Sequence, residues 1–122
     1  MKTLIIGIAS KDEIKERTLA IARRKLKPKK SDPKIWFSSI ESLSQVLSTK
    51  NRILLEIIKT NNPRNLKELA ELTGRARSNL SRTLKNMHKY GLVDLKTSDA
   101  TRELMPIVKY DNLKVNFNLF VN

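Results

Sequence analysis

No cysteine occurs among the 122 residues of this chain, which excludes a disulfide framework, a thiolate zinc site and a cysteine nucleophile. A reducing cytoplasm suits such a chain, and we expect it there. Glycine is scarce as well. Of the three present, Gly74 and Gly91 fall where turns are expected and Gly7 stands alone, so no glycine-rich phosphate loop exists. The single histidine, His88, suggests neither a Ser–His–acid set nor a metal site, and reads as a surface residue late on a helix. We therefore expect no enzyme activity, no metal and no cofactor. Aromatic residues make up only 5% of the chain. Long apolar runs are missing too, since nothing approaches the roughly 18 to 20 residues of a membrane span. The opening segment MKTLIIGIAS has an apolar run over residues 4–9 that meets Lys11, Asp12 and Glu13 at once, so we read it as mature structure rather than a secretory leader.

Acid is the other shortage. Against 25 Lys and Arg stand 12 Asp and Glu, a net charge of +13, in a chain that is otherwise 39% hydrophobic and 30% charged. That composition is globular, and the excess of cations calls for an acidic partner: nucleic acid first, an anionic membrane surface second. The length allows one core that buries about two-thirds of the unfolded surface.

What is present is helical and strand periodicity in a definite order. TLIIGIA predicts a strand. Ser10 with Glu13 has capping-box spacing for a helix carrying Ile14, Thr18, Ile21 and Ala22 and ending near Leu26. Pro28 and Pro33, with Lys29, Lys30 and Lys34 around them, mark a connector, which is either a phosphate-contacting arm or a soluble linker. KIWFSS is a further apolar run in which Trp36 and Phe37 read as packing residues. Ser38 with Glu41 predicts the next capping box, for a helix through Ile40, Leu43, Val46 and Leu47. A helix over residues 50–60 should bury Ile53, Leu54, Ile57 and Ile58. Asn65, boxed with Glu68, should then cap a short helix facing Leu66, Leu69, Ala70 and Leu72 inward. Another helix carries Leu80, Leu84 and Met87 and stops at Gly91. LVDLK, ELMPIVKY and LKVNFNLF predict three strands. The second is an edge or bulged strand because of Pro106; the third is half-buried through Leu113, Val115, Phe117 and Leu119.

Helix, helix, turn, helix, strand, polar loop, strand is the order a winged helix-turn-helix requires. From residue 72 to residue 93 there is no acidic residue, while Arg75, Arg77, Arg82, Lys85 and Lys89 lie on or beside the helix whose apolar side is Leu80, Leu84 and Met87. The stretch over residues 66–93 also resembles MarR-type and ArsR-type winged-helix regulators in Leu69, Ala70, Gly74, Ser78, Ser81, Arg82, Leu84, Gly91, Leu92 and Val93. More of the chain is similar to a prokaryotic family of small antitoxin-like regulators, through PKIWFSSIESLSQVLS, ELTGRARSNLSRTLKNMHKYGLV and PIVKYDNLKVNFNL. The resemblance implies that Arg77, Ser78, Asn79, Ser81 and Arg82 face the major groove. Their chemistry is suitable, since Arg can grip guanine and Asn adenine through two bonds each. Lys85, Asn86 and Lys89 come later and are expected at phosphates, and Arg75, just before the helix, is expected among the DNA-contacting residues as well. At Ala76 the sequence departs from the pattern, leaving the recognition helix without a side-chain cap. The wing is expected over residues 97–103, with Lys96 and Arg102 as its cations and Asp99 and Glu103 weakening it.

These readings combine into an α+β winged helix-turn-helix with an N-terminal strand-helix arm over residues 1–30, a DNA-binding domain over 34–110 and a C-terminal strand over 111–122. The arm and the last strand are expected to dimerise the chain. The function expected is sequence-specific binding of double-stranded DNA as a transcriptional repressor, including autoregulation of a toxin-antitoxin operon. The alternative left open is a protein-interaction module that covers a partner toxin, with DNA binding secondary.

Overall fold

The computed structural model describes residues 2–97 and 102–120. Among these the chain is a mixed α+β fold in the order β1 (Thr3–Ile8), α1 (Lys11–Ala22), β2 (Ile35–Phe37), α2 (Ile40–Val46), α3 (Thr49–Asn61), α4 (Leu66–Thr73), α5 (Arg77–Lys89), β3 (Val93–Thr97), β4 (Leu104–Val108) and β5 (Asn112–Phe117). Two small sheets result. One is parallel throughout in the order β2-β1-β5, and the other is the antiparallel pair β3-β4.

The near-continuous apolar run of β1 suits its place as the middle strand, where Leu4, Ile6 and Ile8 are buried and both edges are taken. Gly7 is required here by close approach, because a Cβ at this position would fall on the Trp36 indole. Phe37 is a buried packing residue, as the sequence suggests, whereas Trp36 is half-buried and lies against Gly7 outside the main core. Phe37 stacks on Tyr90 with ring centroids 4.1 Å apart, which ties the parallel sheet to the C-terminal cap of α5.

Ser10 caps α1 by accepting from the Glu13 N–H at 3.1 Å. The helix stops at Ala22, short of the expected Leu26, because Arg24 turns left-handed (φ 58) and the N–H groups of Lys25 and Leu26 both donate back to the Ala20 carbonyl. No residue of α1 is buried, so its apolar stripe is only half covered by this chain. In the connector that follows, Asp32 accepts from the Lys29 N–H at 2.6 Å and from the Arg17 guanidinium at 2.9 Å, and Arg17 lies over the Trp36 ring.

The cap of α2 is Ser39, bonded to the Ser42 N–H, one residue later than the expected Ser38–Glu41 box. Pairing explains the shift. The Phe37 carbonyl accepts from the Ala9 N–H, which keeps the chain extended until Ser39. In α3 the buried arc is Leu54 and Ile58, while Ile53 points outward, 53% exposed, contrary to expectation. An α-helix advances about 100° per residue, so Ile53 is rotated off the arc that Leu54 and Ile58 share. Asn65 caps α4 as expected, but the Glu68 carboxylate reaches past it to the Arg64 N–H at 2.7 Å. Leu69 is fully buried and Leu72, expected inside, is largely exposed for the same rotational reason.

Leu80, Leu84 and Met87 of α5 are all fully buried and join Leu54, Ile58, Leu69 and Val93 in one core with the sheet residues Leu4, Ile6, Ile8 and Phe37. Each such side chain contributes about 1.5 to 3 kcal/mol of transfer free energy. Pro106 lies opposite Leu95 in a two-stranded ladder, where both strands are edges. Leu113 of β5 is half-buried, but Val115 and Phe117 are exposed, so the half-buried face expected of this strand is left uncovered by the chain itself.

Candidate nucleic-acid interface

The geometry of α5 follows from its apolar trio. With residues 80, 84 and 87 turned into the core, the opposite arc of the helix falls at residues 78, 82, 85 and 89. Ser78, Arg82, Lys85 and Lys89 occupy it, and all four are exposed. Arg77, on the first turn, and Asn86 are exposed as well; Ser81 is half-buried on one flank and Asn79 on the other. Lys89 lies over the ring of its neighbour Tyr90, 5.5 Å from the centroid. Arg82, Lys85 and Lys89 also line a shallow depression with Asn86, Asn51 and Val46, where α5 meets the corner between α2 and α3.

The helix is entered from α4 through a tight turn in which Gly74 adopts φ 72, a conformation costly to residues with a Cβ. Ala76 is extended at the N-cap position and makes no side-chain cap bond, as the sequence indicates. At the other end, a His88 ring nitrogen lies 3.0 Å from the Val93 carbonyl, joining α5 to β3. This gives the single histidine a structural task.

Arg75 is placed differently from the other cations. Its Nε donates to Asn79 Oδ1 at 2.8 Å, its Nη1 to Asn51 Oδ1 at 3.3 Å and its Nη2 to Thr83 Oγ1 at 3.2 Å, while its backbone N–H donates to Thr73 Oγ1. Asn51 in turn donates to the Val46 carbonyl at 3.0 Å. One guanidinium thus links the end of α2, the start of α3, the turn and two residues of α5, through neutral acceptors alone. Asn51 and Thr83 are the residues that sequence reasoning missed. Thr83 follows Asn79 at helical spacing, a signal that could have been found, whereas Asn51 lies 24 positions from Arg75 and leaves none.

Lys96 and Arg102 are exposed at the open end of the β3-β4 pair, and Arg102 has φ 57. The rest of the expected wing, including Asp99, falls on residues 98–101 and lies outside the described residues. Beside it, Glu103 accepts a long hydrogen bond, 3.4 Å, from the side chain of the α4 cap Asn65. Among the described residues there is no cluster of three or more His, Cys, Asp or Glu that could hold a metal, and no helix is long and apolar enough to cross a membrane.

The fold and this surface define a class: a small basic α+β protein whose most cationic helix follows a short helix and a tight turn. Within that class the chain belongs to the family described as HVO_A0114, whose model matches residues 46–115. The matched segment runs from the end of α2 into β5 and holds the whole candidate surface. Among solved structures, the chain is similar to a crystal structure of the predicted DNA-binding transcriptional regulator from E. coli, with 18% identity over 79% of this chain and 84% of that one and a TM-score of 0.48. No curated protein matches.

Proposed function

We propose that this protein is a winged helix-turn-helix regulator that binds double-stranded DNA by setting the outer arc of α5 in the major groove. The observation that carries the reading is the segregation on α5: a fully buried apolar trio on one side, Ser78, Arg82, Lys85 and Lys89 exposed on the other, in a stretch without a single acid. Arg77, Ser78, Asn79, Ser81 and Arg82, on the first turns, meet base edges; Lys85, Asn86 and Lys89 meet phosphate; Lys96 and Arg102 flank the groove from the β3-β4 pair. A net charge of +13 supplies the sequence-independent attraction.

The protein acts as a repressor in this reading, and as a pair of copies, since one recognition helix reads only a few base pairs and a two-fold presents two helices to half-sites about one turn apart. The second copy docks on β5. Among the described residues no strand pairs with its outer edge, and Val115, Phe117, Leu119 and Phe120 are exposed there, whereas β1 has both edges taken. The half-covered face of α1 adds to the same contact.

Selection of bound duplexes from random DNA tests the function. The wild-type chain should enrich one sequence, and the Arg77→Ala/Arg82→Ala double variant should enrich none. No enrichment by a folded wild-type chain would refute it. A module that instead covers a toxin through its apolar edge would keep its activity in the double variant.

A further inference from the structure

Arginine has only donors, so the groups facing its guanidinium must present acceptors. This fixes the amide of Asn79, with Oδ1 on Arg75 Nε at 2.8 Å. It fixes Asn51 too, whose Nδ2 is spent on the Val46 carbonyl and whose Oδ1 faces Arg75 Nη1. A third donor, on Nη2, goes to Thr83 Oγ1. The guanidinium is therefore held from two elements, α3 and α5, and is half-buried. In a planar amide the nitrogen points away from where the oxygen points. With Oδ1 turned to Arg75, the NH2 group of the half-buried Asn79 is directed away from the guanidinium.

We propose that Arg75 is a positioning residue that sets base preference by holding Asn79 as a donor. An asparagine free to rotate pairs with adenine through both atoms, taking a hydrogen from N6 and giving one to N7. Held by Arg75, which occupies one of the two Oδ1 lone pairs and fixes the plane of the amide, Asn79 is biased toward giving hydrogens, which matches guanine, whose N7 and O6 both accept, and disfavours the amino group of adenine. The inference rests on the DNA-reading role of α5 and assigns the class of base in front of one residue.

The test is selection from random duplexes with the wild-type chain, Asn79→Ala, Arg75→Met and Arg75→Lys. Asn79→Ala identifies the position that Asn79 reads, by making it indifferent. At that position the wild-type chain should prefer guanine over adenine by about tenfold. Arg75→Met should move that one preference toward adenine and leave the other positions unchanged, a pattern that a general loss of stability would not produce. Arg75→Lys keeps the charge and should move it the same way, which separates the lost fork from lost attraction. Should the Arg75 variants not fold, the wild-type chain decides alone, on duplexes with 7-deazaguanine at that position: removal of the N7 acceptor should weaken binding severalfold. Adenine preferred by the wild-type chain, or an unchanged preference in folded Arg75 variants, would overturn the proposal while leaving DNA binding intact. A wild-type chain that selects no sequence would instead remove the reading beneath it.

Discussion

One methyl group separates two kinds of glycine in this molecule. At Gly7 the backbone is ordinary but the space is occupied, so Gly7→Ala forces the Trp36 ring and its neighbours to move and should cost about 1 to 3 kcal/mol. At Gly74 the space is open but φ is 72, so Gly74→Ala should cost only about 1 kcal/mol. Urea unfolding of both variants measures the difference. Asp32 shows a third kind of residue effect. The Lys29 N–H, then the Arg17 guanidinium, hold its carboxyl below the usual 3.8, so the clasp stabilises the fold above that pH. As pH falls from 3.8 through the lowered folded value, protonation removes this contribution. Asp32→Asn should flatten the part of the stability curve that lies below pH 3.8, followed by denaturation at fixed salt. An unchanged acid limb would show that other carboxylates carry it. Single residues were legible in the sequence where their partners are close in the chain: the missing cap at Ala76 and the cap at Asn65 are examples. Arg75 was not, because its acceptor Asn51 becomes a neighbour only after α3 and α5 pack.

Helices and strands were easier to read than their faces. The apolar periodicity placed α3, α4 and α5 within a residue or two, since burial of residues 54, 58, 69, 80, 84 and 87 is what makes those helices pay their entropy cost. It misassigned Ile53 and Leu72, which look apolar-periodic but sit off the buried arc. The capping rule failed at Ser38 for a different reason, as strand pairing through Phe37 outlasts the local preference. Caps also give a direct test of α5. Ala76 is already extended at φ −65, ψ 143, so Ala76→Ser needs no backbone change and should raise stability by about 1 kcal/mol. Asn65→Ala should lower it by a similar amount, through loss of the bond to the Glu68 N–H. Thermal unfolding of the two variants checks both signs, and a neutral Ala76→Ser would mean that the α5 terminus is satisfied in some other way.

At the scale of the whole molecule, the charge and the uncovered β5 face make separate demands. The parallel sheet joins the first strand to the last, so the arm and the C-terminal strand that the sequence suggested as two dimerising pieces are one sheet within the chain. Deleting the first 26 residues would remove its middle strand and much of the core, and cannot test assembly. Phe117→Lys can, because the side chain is exposed in the single copy. It should leave the melting temperature of the monomer unit nearly unchanged and halve the mass seen by light scattering; a mass equal to the wild-type one would exclude β5 as the contact. The central claim is that α5 reads bases. It is met most directly by fluorescence anisotropy of wild-type and Arg82→Ala chains on the selected duplex and on a scrambled one, at several salt concentrations. Arg82→Ala should cost about 1 to 3 kcal/mol on the selected duplex and much less on the scrambled one. An equal loss on both duplexes would contradict the account and leave α5 as a cationic anchor without sequence discrimination.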